Sequence, residues 1–132
     1  MVKIKAKYMG NKKTTVTQVP TGETIHVDLP AKFGGTDSAF APTDILTGAL
    51  AACGISMMAV MADKRKDDLT GLSLEAEYTE AQNPERINKI VFTVAFPAAF
   101  TKEQKDFYVT AFKICPVHNS INPEIETVVN VK

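Results

Sequence analysis

The 132-residue chain is short enough for one domain, residues 1–132, because a single hydrophobic core usually serves about 100 to 200 residues. Hydrophobic residues make up 45% of the chain and charged residues 23%, a balance that is typical of a folded globular protein and excludes a disordered tail. Fifteen Lys and Arg offset fifteen Asp and Glu, so there is no net positive charge to attract nucleic acid or a membrane surface. We therefore expect no nucleic-acid partner and no membrane partner.

The first thirty residues predict an antiparallel sheet of three strands. Apolar and polar residues alternate in three short runs, at residues 2–8, 14–19 and 23–29. Residues 30–41 show no such period and contain Gly34-Gly35, which predicts a loop, and loops of this length often border a functional site. No apolar run typical of a signal peptide stands before these strands, so we expect a cytoplasmic protein.

A long apolar helix is predicted after this loop. Pro42 suits the first helical position, and Asp44 places a carboxylate in the first turn, where the helix dipole favours it. The helix runs to about Asp63, and its apolar residues cover most of its circumference, so it must be buried on more than one side. Residues 45–62 approach the roughly 20 residues of a membrane span, but the neighbouring strands offer this segment a protein core instead.

Two strands, a second helix and a final strand complete the predicted order. The strands at residues 72–79 and 87–96 form a hairpin, and Thr101 opens the helix at residues 101–114 as its N-cap. A short helical turn at residues 117–121 and a strand at 125–131 follow. The order βββ-α-ββ-α-β predicts an α+β fold with antiparallel sheets around a long central helix.

The two cysteines are the residues best suited to carry chemistry. Cys53 lies within the long helix, where a free cysteine is often no more than a small buried hydrophobe. Cys115 lies where the second helix stops, just before Pro116, and we expect it to be the more accessible of the two. His118 would favour a Cys115 thiolate if cationic, although the helix C-terminus opposes an anion there. A turn residue bonded to the backbone is an equally good interpretation of His118.

Metal and nucleotide chemistry find little support. Cys53, Cys115, His118 and His26 are zinc ligands by type, but the chain has no C-x-x-C and no H-x-x-x-H pair, so we expect no metal site. The glycine-rich motifs that bind nucleotides and the nucleophile elbow of hydrolases are also absent, and we expect no cofactor.

Three segments of the chain match one known family together. They are FGGTDSAFAPTDILTGALAAC at the long helix, NPERINKIVFTVAF in the hairpin, and KICPVHNSI around the second cysteine. With the order of elements, they resemble the OsmC/Ohr family of osmotically inducible and organic hydroperoxide resistance proteins. The resemblance implies an intertwined homodimer in which two long helices pack centrally and two active sites lie at the subunit interface.

The same resemblance implies a cysteine-based peroxidase of oxidative-stress defence. In family members the first cysteine attacks an organic hydroperoxide and becomes a sulfenic acid, and the second resolves it as a disulfide. By match of motif these roles fall on Cys53 and Cys115. An external dithiol reductant would then restore both thiols.

Two departures from the peroxidase members bear on this activity. Those members place a glutamate directly after the helix-opening proline, paired with an arginine from the N-terminal region that favours the thiolate. Here Thr43 takes the glutamate position, Asp44 follows it, and no arginine precedes Arg65. We therefore regard Thr43, Asp44 and His118 as the candidates for helping to activate a thiol. Lys32 is the candidate to replace the arginine.

Two other functions stay open on the sequence. One is a redox-sensing or small apolar ligand-binding protein of the same fold, with weak or no peroxidase activity. The other is a purely structural pair of cysteines within a dimer.

Overall fold

Alternating residues near the N-terminus form the first sheet. A computed structural model describes residues 1–132, which group into two units, Met1–Leu46 and Thr47–Lys132. In the first unit, three strands pair antiparallel in chain order: β1 (Ile4–Gly10), β2 (Lys13–Gln18) and β3 (Thr24–Asp28). The three predicted strands are confirmed, with boundaries that differ by one or two residues.

One face of this sheet is apolar. The strand register places Ala6 opposite Val16 and Val16 opposite Ile25, and side chains that are opposite each other share a face. Ile4, Tyr8 and Ile25 on this face are nevertheless exposed, at 57%, 68% and 42% of their full surface. These side chains form an exposed apolar patch on the first unit.

The loop after β3 is held by one buried carboxylate. Asp28 is 1% exposed and accepts hydrogen bonds from the backbone N–H and the hydroxyl of both Thr36 and Ser38. These bonds, the Thr36 hydroxyl first, hold the pKa of Asp28 well below its usual range. Gly35 is required beside them because a Cβ there would overlap the Leu29 carbonyl. The predicted loop is therefore ordered, and it includes one turn of 3-10 helix at Ala31–Phe33.

The long helix α1 spans Pro42–Arg65. Asp44 accepts a hydrogen bond of 2.8 Å from the Ala41 N–H, so the predicted first-turn carboxylate closes the start of the helix. By length and composition α1 is able to cross a membrane, a test that core helices of soluble proteins also pass. Leu50 and Met58 of α1 are fully buried in the core of the second unit.

The sheet of the second unit is mixed. β4 (Ser73–Ala81) pairs antiparallel with β5 (Arg86–Ala95), whereas β6 (Glu126–Val131) pairs parallel with β5. The prediction of antiparallel sheets throughout was wrong for β6. The helix α2 (Lys102–Phe112) lies in the connection between β5 and β6, and such a long connection allows the chain to return to the same end of the sheet, which a tight turn does not.

The two helices and this sheet enclose the core of the second unit. Its fully buried large side chains are Leu50, Met58, Ile90, Phe92, Val94, Tyr108 and Phe112. Gly54 allows the Phe112 ring to lie directly against α1, because a Cβ at that position would overlap the ring. The α+β class and the order βββ-α-ββ-α-β are confirmed, including the reciprocal cap of α2 by Thr101 and Gln104.

Candidate active site

Cys53 and Cys115 meet in the second unit. Both are free thiols, and the Cys53 thiol is close enough to Cys115 to influence the pKa of the Cys115 thiol. Cys53 on α1 is partly exposed, whereas Cys115 has no exposed surface. The expectation that Cys115 is the more accessible cysteine was therefore wrong. Its burial arises because Val117 and Ile121, which follow it, pack against the core instead of leading the chain away.

The surroundings of Cys115 keep its thiol protonated. Burial is the largest influence and raises the pKa of Cys115, since an apolar interior disfavours the charged form. The neighbouring Cys53 thiol raises this pKa further, while the backbone N–H groups of His118 and Val117 lower it in part. Near neutral pH, Cys115 is therefore a poor first nucleophile and a suitable partner for a sulfur already oxidised.

A tight turn presents backbone donors to the Cys115 sulfur. The His118 N–H donates to Cys115 Sγ at 3.3 Å, and the Asn119 N–H donates to the Cys115 carbonyl at 3.1 Å. The Ser120 hydroxyl donates to the Pro116 carbonyl at 2.8 Å and closes the turn. Because α2 ends at Phe112, the sulfur faces these N–H groups rather than the last carbonyls of that helix. The sequence predicted that the C-terminus of α2 would disfavour an anionic Cys115. Backbone N–H groups, which favour the anion, face the sulfur instead.

His118 reaches the site through its backbone. Its imidazole Nε2 lies 3.0 Å from Thr127 Oγ1 on β6, so the ring is tied to the sheet. A cavity of about 430 Å³ adjoins this pair and is lined by His118, Asn119, Ile121, Asn122, Pro123, Ile125 and Thr127. The sequence pointed to the side chain of His118, but the contact that the structure shows is made by its N–H. The Cys-Pro pair is the signal for such a turn, because proline suits the position after a capping residue.

The other predicted supporting residues belong to the first unit. Thr43 and Asp44 lie in the first turn of α1, where Asp44 holds the Ala41 N–H. The Lys32 ammonium lies 4.9 Å from the centre of the Phe33 ring. A role of these residues toward the thiols stays a prediction. The structure contains no group of three or more His, Cys, Asp or Glu side chains arranged to hold a metal ion.

Both cysteines lie within the region that a family profile recognises. The profile of OsmC-like protein matches residues 35–130. The chain belongs to the OsmC-like protein family. A search of curated proteins finds no match to it.

Solved structures show the same fold over the whole chain. An osmotic stress induced and detoxification response protein of Psychrobacter arcticus 273-4 is 26% identical, with a TM-score of 0.96, covering 100% of this chain and 96% of that one. An organic hydroperoxide resistance protein OsmC of Legionella pneumophila is 19% identical, with a TM-score of 0.81 and coverage of 100% and 96%. The organic hydroperoxide resistance protein OhrB of Bacillus subtilis is 16% identical, with a TM-score of 0.75 and coverage of 100% and 98%. The OsmC/Ohr resemblance seen in the sequence is confirmed at the level of family and fold.

Proposed function

We propose that the protein is a cysteine-based peroxidase that reduces organic hydroperoxides in oxidative-stress defence. The observation that carries the proposal is the contact between a partly exposed thiol, Cys53, and a fully buried one, Cys115. Membership of the OsmC-like family and the similarity in fold to proteins named for organic hydroperoxide resistance support it.

The reaction proceeds in three balanced steps. The Cys53 thiolate attacks an oxygen of the hydroperoxide, the O–O bond breaks, and the alcohol leaves with a proton while Cys53 becomes a sulfenic acid. The Cys115 thiol then attacks this sulfur and expels water, which forms the Cys53–Cys115 disulfide. An external dithiol gives up two electrons and two protons and returns both cysteines to thiols.

The geometry supports this division of roles. A peroxide must reach the attacking sulfur, and Cys53 is the cysteine with exposed surface. Cys115 needs to reach only the Cys53 sulfur, which it already contacts, so its burial is no obstacle. Burial that raises the pKa of Cys115 also protects this thiol from oxidation by the peroxide itself.

The side chains around Cys53 favour an apolar substrate. Met57 lies one helical turn from Cys53, and Met57 and Met61 are partly buried apolar side chains at the edge of the core. We propose that bulky organic hydroperoxides react faster than hydrogen peroxide, because their apolar groups bury surface against these side chains.

We propose a second copy of the chain as the protein partner. The apolar face of the first sheet, with Ile4, Tyr8 and Ile25 exposed, supports a homodimer, because such a face is unfavourable in water. We propose that the dimer works in the cytoplasm, where dithiol reductants are maintained.

Steady-state turnover of cumene hydroperoxide with a dithiol tests the activity. The wild type is expected to reduce it far faster than free thiol does, and faster than it reduces hydrogen peroxide. Cys53→Ser should abolish turnover, whereas Cys115→Ser should slow the dithiol-dependent cycle but retain the first oxidation. A wild-type rate equal to that of free thiol would overturn the proposal.

A redox sensor is the second candidate, and one observation favours it. Thr43 stands where peroxidase members place glutamate, and no arginine precedes Arg65, so their activating pair is missing. A sensor would form the same disulfide without rapid turnover. Slow oxidation of both thiols by peroxide, with a change in a binding property of the protein, would identify it.

A further inference from the structure

The two sulfurs of the proposed disulfide differ in access. Thiol exchange requires the incoming thiolate to approach along the S–S axis, from behind the sulfur that it attacks. Cys53 is partly exposed, so its side of the disulfide is the more open to an incoming thiol. Cys115 is 0% exposed and lies in the core with Leu50, Phe92 and Phe112, which leaves no such approach.

The two sulfurs also differ in the donors around them. The turn after α2 directs the His118 N–H at Cys115 Sγ at a distance of 3.3 Å, and the Val117 N–H also interacts with this sulfur. Backbone N–H groups hold an anionic sulfur more strongly than a neutral one. They therefore stabilise Cys115 as it departs with the electron pair of the broken bond.

We infer that the disulfide is reduced from one side only, by attack on Cys53, with Cys115 as the leaving group held by the turn from Pro116 to His118. This inference rests on the Cys53–Cys115 disulfide of the proposed function. It assigns the His118 and Val117 N–H groups a role in reduction, because they contact the atom that receives the electrons.

The exchange is balanced as follows. One thiolate of the dithiol bonds to Cys53 Sγ, the S–S bond breaks, and its electron pair goes to Cys115 Sγ, which takes up a proton. The second thiolate of the dithiol then attacks the first dithiol sulfur and expels Cys53 as a thiolate. The dithiol leaves as a disulfide, and both cysteines are reduced.

Burial works against a thiolate at Cys115, and the turn offsets part of that effect. Burial raises the pKa of Cys115, and the neighbouring Cys53 thiol raises it further. Once Cys53 is bonded to the reductant, it no longer carries a thiol or a thiolate, so the influence of Cys53 disappears while the N–H donors stay. The exposure of Cys53 then determines which sulfur is attacked. The backbone N–H donors partly stabilise the Cys115 thiolate as it leaves.

Trapping the mixed disulfide tests the inference. The wild-type protein is oxidised with diamide, treated briefly with glutathione, quenched in acid, and alkylated with N-ethylmaleimide. Trypsin separates the cysteines, because cleavage after Lys32, Lys64 and Lys113 gives the peptides 33–64 and 114–132. Mass spectrometry then shows which cysteine carries glutathione and which carries the maleimide.

We expect glutathione on Cys53 and maleimide on Cys115, in excess of the reverse pattern by roughly tenfold or more. Equal labelling, or glutathione mainly on Cys115, would overturn the inference. Because diamide makes the disulfide without peroxide, the result stands whether or not peroxide turnover is observed. Failure of diamide to join the two cysteines would also refute it.

Discussion

Gly54 determines how closely α2 approaches α1. The Phe112 ring occupies the space that a Cβ on Gly54 would need, so only glycine at this position allows the ring to pack against α1. Gly54 directly follows Cys53, and Phe112 lies three residues before Cys115. The contact that packs the two helices together therefore lies close in sequence to both cysteines.

Gly54→Ala should lower the free energy of unfolding by about 1–3 kcal/mol, the usual cost of overpacking a core. Urea denaturation measures this change. Gly48→Ala is the matched control, since nothing lies within 4 Å of a Cβ at Gly48. That substitution should raise stability by about 0.5–1 kcal/mol, because alanine is the better helix former. Equal effects of the two substitutions would show that the Phe112 contact is unimportant.

Tyr108 anchors α2 to the segment after α1. Its hydroxyl donates a hydrogen bond of 2.6 Å to Asp67, which also accepts one from Gln104. Burial, followed by the bond to Asp67, raises the pKa of Tyr108 to about 12. Folding therefore favours the protonated phenol, and the resulting stability is complete below the unfolded pKa of about 10 and disappears as pH rises toward 12.

Tyr108→Phe should cost about 1–3 kcal/mol of stability at neutral pH, because a bond to a charged acceptor is lost. The difference in unfolding free energy between wild type and variant should shrink between pH 10 and about 12. Tyr8→Phe is the control, since the Tyr8 hydroxyl accepts a long bond of 3.4 Å from the Lys12 N–H instead of donating to a carboxylate, and it should change the unfolding free energy little. A difference that stays constant over this pH range would contradict the account.

Some residue roles were readable from the sequence and others were not. The spacing of Thr101 and Gln104 predicted the helix cap, because such a cap depends only on residues three apart. The burial of Cys115 was predicted wrongly, because it depends on where Val117 and Ile121 pack. Contacts between distant segments leave no local pattern.

The loop between β3 and α1 owes its order to Asp28. Four hydrogen bonds from Thr36 and Ser38 converge on its carboxylate. All four bonds end on Oδ2, while Oδ1 accepts from the Leu29 N–H. An amide is uncharged and its NH2 group cannot accept the Leu29 bond, so asparagine cannot replace this carboxylate. The sequence predicted a loop near a functional site but gave no sign that one side chain holds it.

Asp28→Asn should increase amide exchange at Thr36 and Ser38, as measured by hydrogen exchange with mass spectrometry. Asp37→Asn is the control, because the Asp37 carboxylate is exposed and accepts a bond from Ala31. The lowered pKa of Asp28 means that its contribution to stability is complete above the unfolded pKa of about 3.9 and is lost as pH falls below it. Only the Asp28 variant should lack this acid-dependent contribution to stability. Unchanged amide exchange at Thr36 and Ser38 in that variant would refute the role of Asp28 in ordering the loop.

At the level of strands and helices, the sequence predicted most elements but not every pairing. Alternation and capping are local properties, and they located both helices and all six strands. The direction of β6 is not local, because it depends on the path that the chain takes through α2. The parallel pairing with β5 was therefore missed.

In the whole molecule, the fold was more predictable than the function. Family motifs span the matched residues 35–130 and identify the chain as an OsmC-like protein. The pairing of thiols, implied by the resemblance, depends on bringing residues 53 and 115 together, which the structure of the second unit does. The activity is harder to predict, because Thr43 takes the position where peroxidase members have a glutamate and no arginine precedes Arg65.

A single oxidation followed by mass spectrometry tests the central claim most directly. One equivalent of cumene hydroperoxide should remove both thiols of the wild type, with loss of two hydrogens and a linked peptide pair containing Cys53 and Cys115. Cys115→Ser should instead gain one oxygen at Cys53 that dimedone traps, and Cys53→Ser should keep its thiol. Rapid oxidation of Cys115 in the Cys53→Ser variant, or intact thiols in the wild type, would contradict the account.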